Sequence, residues 1–321
     1  MDRVHSANLW VAVCVFFTGS GYTLGQKNEQ KASPDVRRIV GQNAAAPSVQ
    51  RLALAENLTL LSPSDTLLIF EYLKATSAKS SGIVSDLQTE YKIKNALLNC
   101  LRRSSVPAQK QFLCYIEILE NPKIDIAIRD YVVQHMTGLL LREDCSTTLR
   151  NDLTNYLFNN SGKHPATTLP GTILLSLNQV YQQQLRQPDF FYGKLVQGNR
   201  LLDTCKTVAG TGDINPQNIA SAIAVAGEVY PTETPDKFPE WITETFQQCT
   251  TGESIKPNSE KAFVALAGAR ALLDSKDSSL RGMVHSTAKK LGTSSLTGRL
   301  LNGALPRRQT KQSVPAPKQL P

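Results

Sequence analysis

Aromatic side chains are scarce in this 321-residue chain, only 7% of the total. No apolar–polar alternation long enough to define a strand occurs, and the β-branched stretch from Ile219 to Val229 is too rich in alanine to favour a sheet. Leucine and alanine are common instead, which argues against an aromatic-rich β sandwich and suits helices packed on helices. Motifs that carry chemistry are also missing. There is no H-E-x-x-H, no C-x-x-C and no histidine pair four residues apart, so nothing in the pattern supports a zinc site. There is no G-x-S-x-G nucleophile turn and no G-x-x-x-x-G-K phosphate loop. The glycine-rich "VAGTGD" from Val208 to Asp213 follows a helical pattern rather than a strand, and reads as a helix stop. The acid pairs Glu117/Glu120 and Glu240/Glu244 read as solvated helix faces. We therefore expect no enzyme activity and no cofactor.

Histidine and cysteine are few and scattered. His135 falls on an apolar helical stripe and is expected to be partly buried with a hydrogen bond. His164 lies in the loop "SGKHP" and is expected to be solvated, while His285 stands at a helix midpoint. Cys100, Cys114, Cys145, Cys205 and Cys249 show no tight spacing. A lone cysteine on an apolar helix face behaves as a small hydrophobe, so at least three of these thiols are expected to be free. One or two disulfides stay open as the alternative in an oxidising compartment.

The two ends differ from the body. "MDRVHSANLWVAVCVFFTGSGYTLGQ" has Arg3 and His5, an apolar run from Leu9 to Phe17, then small residues. That order reads as a signal peptide over residues 1–25. The run falls short of the about 20 apolar residues of a membrane span, so no transmembrane span is expected in the mature chain, and export to a periplasm or the outside is. An uncleaved anchor is the alternative. Val13 is too large for the position before a lipidated Cys14. Of the formal charge of +8, residues 26–50 carry +2 and residues 306–321 carry +4, which leaves +2 for 51–305. The basic character therefore sits in two arms, with 26–60 expected to be flexible and 296–321 a disordered, proline-containing tail. No basic face suggests nucleic acid. A basic-tail binder of an anionic polymer or membrane surface remains a minor alternative.

Between the arms, helical stripes recur with short breaks: Asp65–Thr76, Ser85–Ser105, Ala108–Glu120, Ser146–Asn160, Thr168–Gln184, Gly193–Ala209, Asn215–Tyr230, Asp236–Cys249, Asn258–Asp274 and Ser278–Gly292. Another is "DIAIRDYVVQHM", with Ile128, Tyr131, Val132, Met136, Leu139 and Leu140 at helical spacing. Set above "DSSLRGMVHSTA", it aligns Asp125 with Asp277, Ile128 with Leu280 and Arg129 with Arg281, and "STTLRNDLTNYL" offers a looser third copy through Leu149 and Arg150. This acid, apolar, arginine helix start resembles the second helix of HEAT repeats, and the chain also resembles secreted bacterial HEAT-repeat proteins.

The resemblance implies an all-α fold: an α-solenoid of stacked antiparallel helix pairs, HEAT- or armadillo-like with irregular repeats, over residues 61–295. It also implies that Asp125 and Asp277 open second helices on one side of the stack, with Arg129, Arg150 and Arg281 laddering neighbouring units. A pair of helices cannot bury its apolar face alone, so stacking makes the core. Solenoids present long surfaces, and the exposed candidates there are Arg129, Gln134, Asn178, Gln182, Asn218 and Arg281. The expected function is a non-catalytic, exported, monomeric scaffold binding a protein or peptide partner. A helical accessory domain, or an enzyme with an unrecognised site, is the alternative.

Overall fold

The structure, a computed structural model, describes residues 31–41, 47–75, 87–191, 194–251 and 259–305. Every regular element among them is a helix. The helices fall into consecutive pairs: α1 (Pro34–Ile39) with α2 (Ser48–Asn57), α3 (Pro63–Lys74) with α4 (Leu87–Arg103), α5 (Ala108–Glu120) with α6 (Ile126–Leu140), and α7 (Thr147–Asn160) with α8 (Leu169–Arg186). A single turn, α9 (Pro188–Phe191), follows. Then come α10 (Gly198–Ala209) with α11 (Pro216–Glu233), α12 (Glu240–Thr250) with α13 (Ser259–Asp274), and α14 (Ser278–Leu291) with α15 (Leu296–Ala304).

Local chemistry sets these starts. Ser62 and Asp65 form a reciprocal capping box at α3, with Pro63 in the first turn. Asp125, Ser146, Asn215, Asp277 and Ser295 each accept a backbone N–H at the starts of α6, α7, α11, α14 and α15.

Contacts run almost entirely between neighbours. The second helices α2, α4, α6, α8, α11, α13 and α15 touch one another in that order. The first helices approach each other much less closely, with α1–α3 and α3–α5 the main contacts along that row. A stack whose second row is the tighter one bends toward that row. Between the rows, one apolar core extends from Val36 to Ala271, and a second patch of Phe246, Leu272, Val284 and Leu301 closes the far end. The fold is thus an all-α stack of antiparallel pairs, held by nearest-neighbour burial.

Three expectations are corrected. Residues 26–60 are not simply a flexible segment: α1 and α2 pack into the stack, and Val36, Ile39 and Arg51 are fully buried. The tail does not start at 296, because α15 buries Leu301 against the last pair. The helix at Asp125 is the second of its pair, whereas the helix at Asp277 is the first of its pair, so the two lie in opposite rows. Residues 1–25 and 306–321, the expected signal and the end of the tail, lie outside the described residues. Among the described residues no helix is long and apolar enough to cross a membrane.

Candidate functional site

The aligned arginines explain why the acid–arginine pattern does not mark a row. Arg129 Nε donates to the Leu119 carbonyl at the end of α5, at 3.0 Å. Arg150 Nε donates to the Leu140 carbonyl at the end of α6, at 3.1 Å. Arg281 reaches the Ser275 carbonyl just after α13, and Arg51 Nε the Ile39 carbonyl ending α1, at 2.7 Å. Each arginine satisfies an orphan carbonyl of the helix before it, where a cation also meets the negative end of the helix dipole. These four bonds occur at turns within a pair and at turns between pairs alike, whichever row follows. Through these carbonyl bonds Arg51 and Arg129 stay inside their own pairs, whereas Arg150 and Arg281 cross to the preceding pair. Arg129, Arg150 and Arg281 make no ion pair with an acid of a neighbouring unit among the described residues; of the four, Arg51 makes one, with Glu90. Asp125 and Asp277 act as helix caps, on Ala127 N–H at 2.9 Å and Ser279 N–H at 2.7 Å.

The remaining candidates separate by burial. Asn218 is fully buried: its amide donates to the Pro165 and Thr167 carbonyls and its oxygen accepts the Gly171 N–H, so it fastens the α7–α8 loop to α11. Every polar atom of that side chain is engaged within the fold, which leaves it no means of contacting a partner. Asn178 is also buried; it donates to Glu228 at 2.7 Å, and Gln182 leans on Asn178 at 3.5 Å. Gln134 is exposed on α6.

A polar lane runs along the exposed faces of the second-row helices. Asn95 and Asn99 on α4, Gln134 on α6, and Gln179 and Gln182 on α8 lie on it, exposed or half-buried. Between α2 and α4 the lane holds a groove of about 300 Å³ lined by Lys92, Asn95, Asn99, Arg102 and Arg103, with Glu56 as its acid. His135, buried beneath it, contacts Asn95 Oδ1 at 3.1 Å. Burial, and then the nearby Arg102 guanidinium, pull its pKa down to about 4, so it is neutral at ordinary pH.

Sequence reasoning missed a buried ionic cluster where the first two pairs meet. Arg51 donates to Glu90 at 3.3 Å and to the Tyr72 hydroxyl at 2.7 Å, Tyr72 donates to Glu90, and Lys94 donates to the Ala75 carbonyl at 2.7 Å. Burial raises the Tyr72 pKa and lowers that of Lys94. Arg51, inside the N-terminal segment expected to be flexible, gave no sequence signal, because arginine is ordinarily exposed. The cluster spends its donors internally and reads as architecture.

All five described cysteines are free, and burial raises their thiol pKa values, to about 12 for Cys114 and Cys205. Such thiols are poor nucleophiles. Among the described residues no group of His, Cys, Asp and Glu is arranged to hold a metal ion. What the fold and the lane define is a helical solenoid whose second-row helices α4, α6 and α8 present exposed or half-buried amides. No protein-family model, curated protein or solved structure matches the chain.

Proposed function

We propose that this chain is an exported, non-catalytic HEAT-like scaffold that binds an extended protein or peptide segment along the inner row. The observation that carries the reading is the lane of amides from Asn95 through Gln134 to Gln182, together with the basic groove at its α4 end. Amides offer a donor and an acceptor each, which matches the alternating N–H and C=O of an extended backbone. A bent stack gives such a segment a long continuous track. Export rests on the signal-like pattern of residues 1–25.

Two experiments test this. The chain from residue 26 is used as bait in the envelope or medium of its host, beside the double variant Gln134→Arg, Gln179→Arg. Both positions are exposed, so the variant should melt like the parent. Capture by the parent and loss in the variant supports the lane; equal capture by both refutes it. N-terminal sequencing of the native protein should begin near Gln26, and a soluble cytoplasmic chain that keeps Met1–Gly25 would refute export.

A further inference from the structure

The turn arginines differ in one respect. Arg51 uses all three guanidinium nitrogens, on Ile39 O, Glu90 and Tyr72. Arg150 does the same, on Leu140 O, Phe190 O and Arg142 O, with its plane over the Phe190 ring at 4.4 Å. Arg129 occupies the equivalent place in its turn and makes the equivalent Nε bond, yet its Nη2 is buried and meets no acceptor among the described residues. The residue is only 4% exposed. A buried charged donor left unpaired is costly, and such groups are few in folded proteins.

Arg129 borders a cavity of about 210 Å³ framed by the ends of α5 and α7, the starts of α6 and α8 and the loop between α7 and α8. Leu119, Leu169 and Ile173 give it an apolar wall. Asn160, Lys163 and His164 stand on the polar side. Glu120 is its one acid, and it faces the Tyr156 hydroxyl. Among the lining residues two cations thus oppose one carboxylate, and Asp130 lies near Arg129 outside the lining. The local field is positive enough that Arg129 and Lys163 add to burial in lowering the pKa of His164. His164 itself is held at φ 58°, a left-handed conformation unusual for a side chain of its size.

We propose that this cavity is a carboxylate pocket: the guanidinium of Arg129 and the ammonium of Lys163 take a peptide carboxylate, and the leucine and isoleucine wall takes the aliphatic part beside it. A planar guanidinium matches a carboxylate, and charge-assisted bonds of this kind are the strong ones. The carboxylate could come from a peptide's C-terminus or from an Asp or Glu side chain. The proposal deepens the reading of the chain as a peptide-binding scaffold and rests on it.

The probes are three short N-acetylated peptides: Ala-Leu ending in a free carboxylate, Ala-Leu ending in an amide, and Ala-Glu ending in an amide. Calorimetric titration of the whole chain should show binding by the first or the third and none by the second. Binding by the first alone assigns a C-terminus, and binding by the third alone assigns an acidic side chain. Lys163 is exposed, so Lys163→Ala folds normally and should weaken binding about fivefold. Arg129→Gln should weaken it on the order of 100-fold, with circular dichroism confirming a folded chain. Equal binding of the amide peptide, or undiminished binding by Lys163→Ala together with a folded Arg129→Gln, overturns the pocket, as does inorganic phosphate binding as tightly as the peptides. A natural partner that is lost with Gln134→Arg, Gln179→Arg but retained by Lys163→Ala leaves the scaffold standing and removes only the pocket.

Discussion

Arg51 shows how a single residue can organise a whole end of the molecule. It is fully buried, closes α1, and balances Glu90 beneath α3 and α4. Replacing it with alanine strands a buried carboxylate and a tyrosine hydroxyl, so Arg51→Ala should cost on the order of 3–5 kcal/mol. Urea denaturation at pH 7 measures it; a loss near zero would mean that the cluster is solvated. His135 gives a pH dependence of known sign. Its folded pKa of about 4 lies below the ordinary 6.5, so between those values the unfolded chain holds more protons than the native one. Stability contributed by neutral His135 is therefore full above 6.5 and declines as pH falls toward 4. The total decline is about 3 kcal/mol from this group. Parallel denaturation of the parent and His135→Gln at pH 7 and pH 4.5 isolates it, because other titrating groups are common to both. The variant should lose markedly less stability on acidification than the parent.

At the scale of elements, helix positions were legible and their rows were not. Periodicity and caps placed α5 over Ala108–Glu120 with both ends correct, because Pro107 and "NPK" bound it locally. Row identity is not local. It depends on counting pairs from the start of the stack, and the first pair lies where composition suggested a flexible arm. The cues there were Ser33–Pro34, which cap and start α1, and Pro47 ahead of α2. They were outweighed by the polar surroundings. The candidate site was legible in kind only: helical spacing put Gln134 outward, but the burial of Asn178 and Asn218 depends on how closely α8 and α11 approach. Gly171 sets that approach. Its N–H bonds Asn218 Oδ1 at 2.8 Å, and a Cβ there would stand 2.8 Å from that same oxygen and 2.9 Å from Ser221 Oγ. Gly171→Ala should therefore push α8 from α11 and cost about 1–3 kcal/mol. Gly282, exposed in the middle of α14 with open space around it, is the matched control. There the same change should stabilise by about 0.5–1 kcal/mol, the helix-propensity gain over glycine. Thermal denaturation of the two variants should shift in opposite directions.

For the whole molecule, the arrangement of contacts decides how damage spreads. Each pair packs on the pairs beside it, and α6 is the link between α4 and α8 along the inner row. Met136 is fully buried on α6, so Met136→Ala removes apolar volume at that link and should cost about 2–5 kcal/mol. In a bundle with one shared core, that loss would lower every region together and leave a single sharp transition. In a stack the free energy is a sum of units and interfaces, and weakening one interior interface partly uncouples the two ends. Hydrogen exchange on Met136→Ala should show α5 and α6 opening at much lower free energy than in the parent, with α11 and α13 keeping most of their protection. The urea transition should broaden or split, because the segment from α8 onward retains its own core through Leu177, Val225 and Val264. Uniform loss of protection from α2 to α15, with the transition as steep as before, would mean that the molecule folds as one cooperative unit despite its linear contacts.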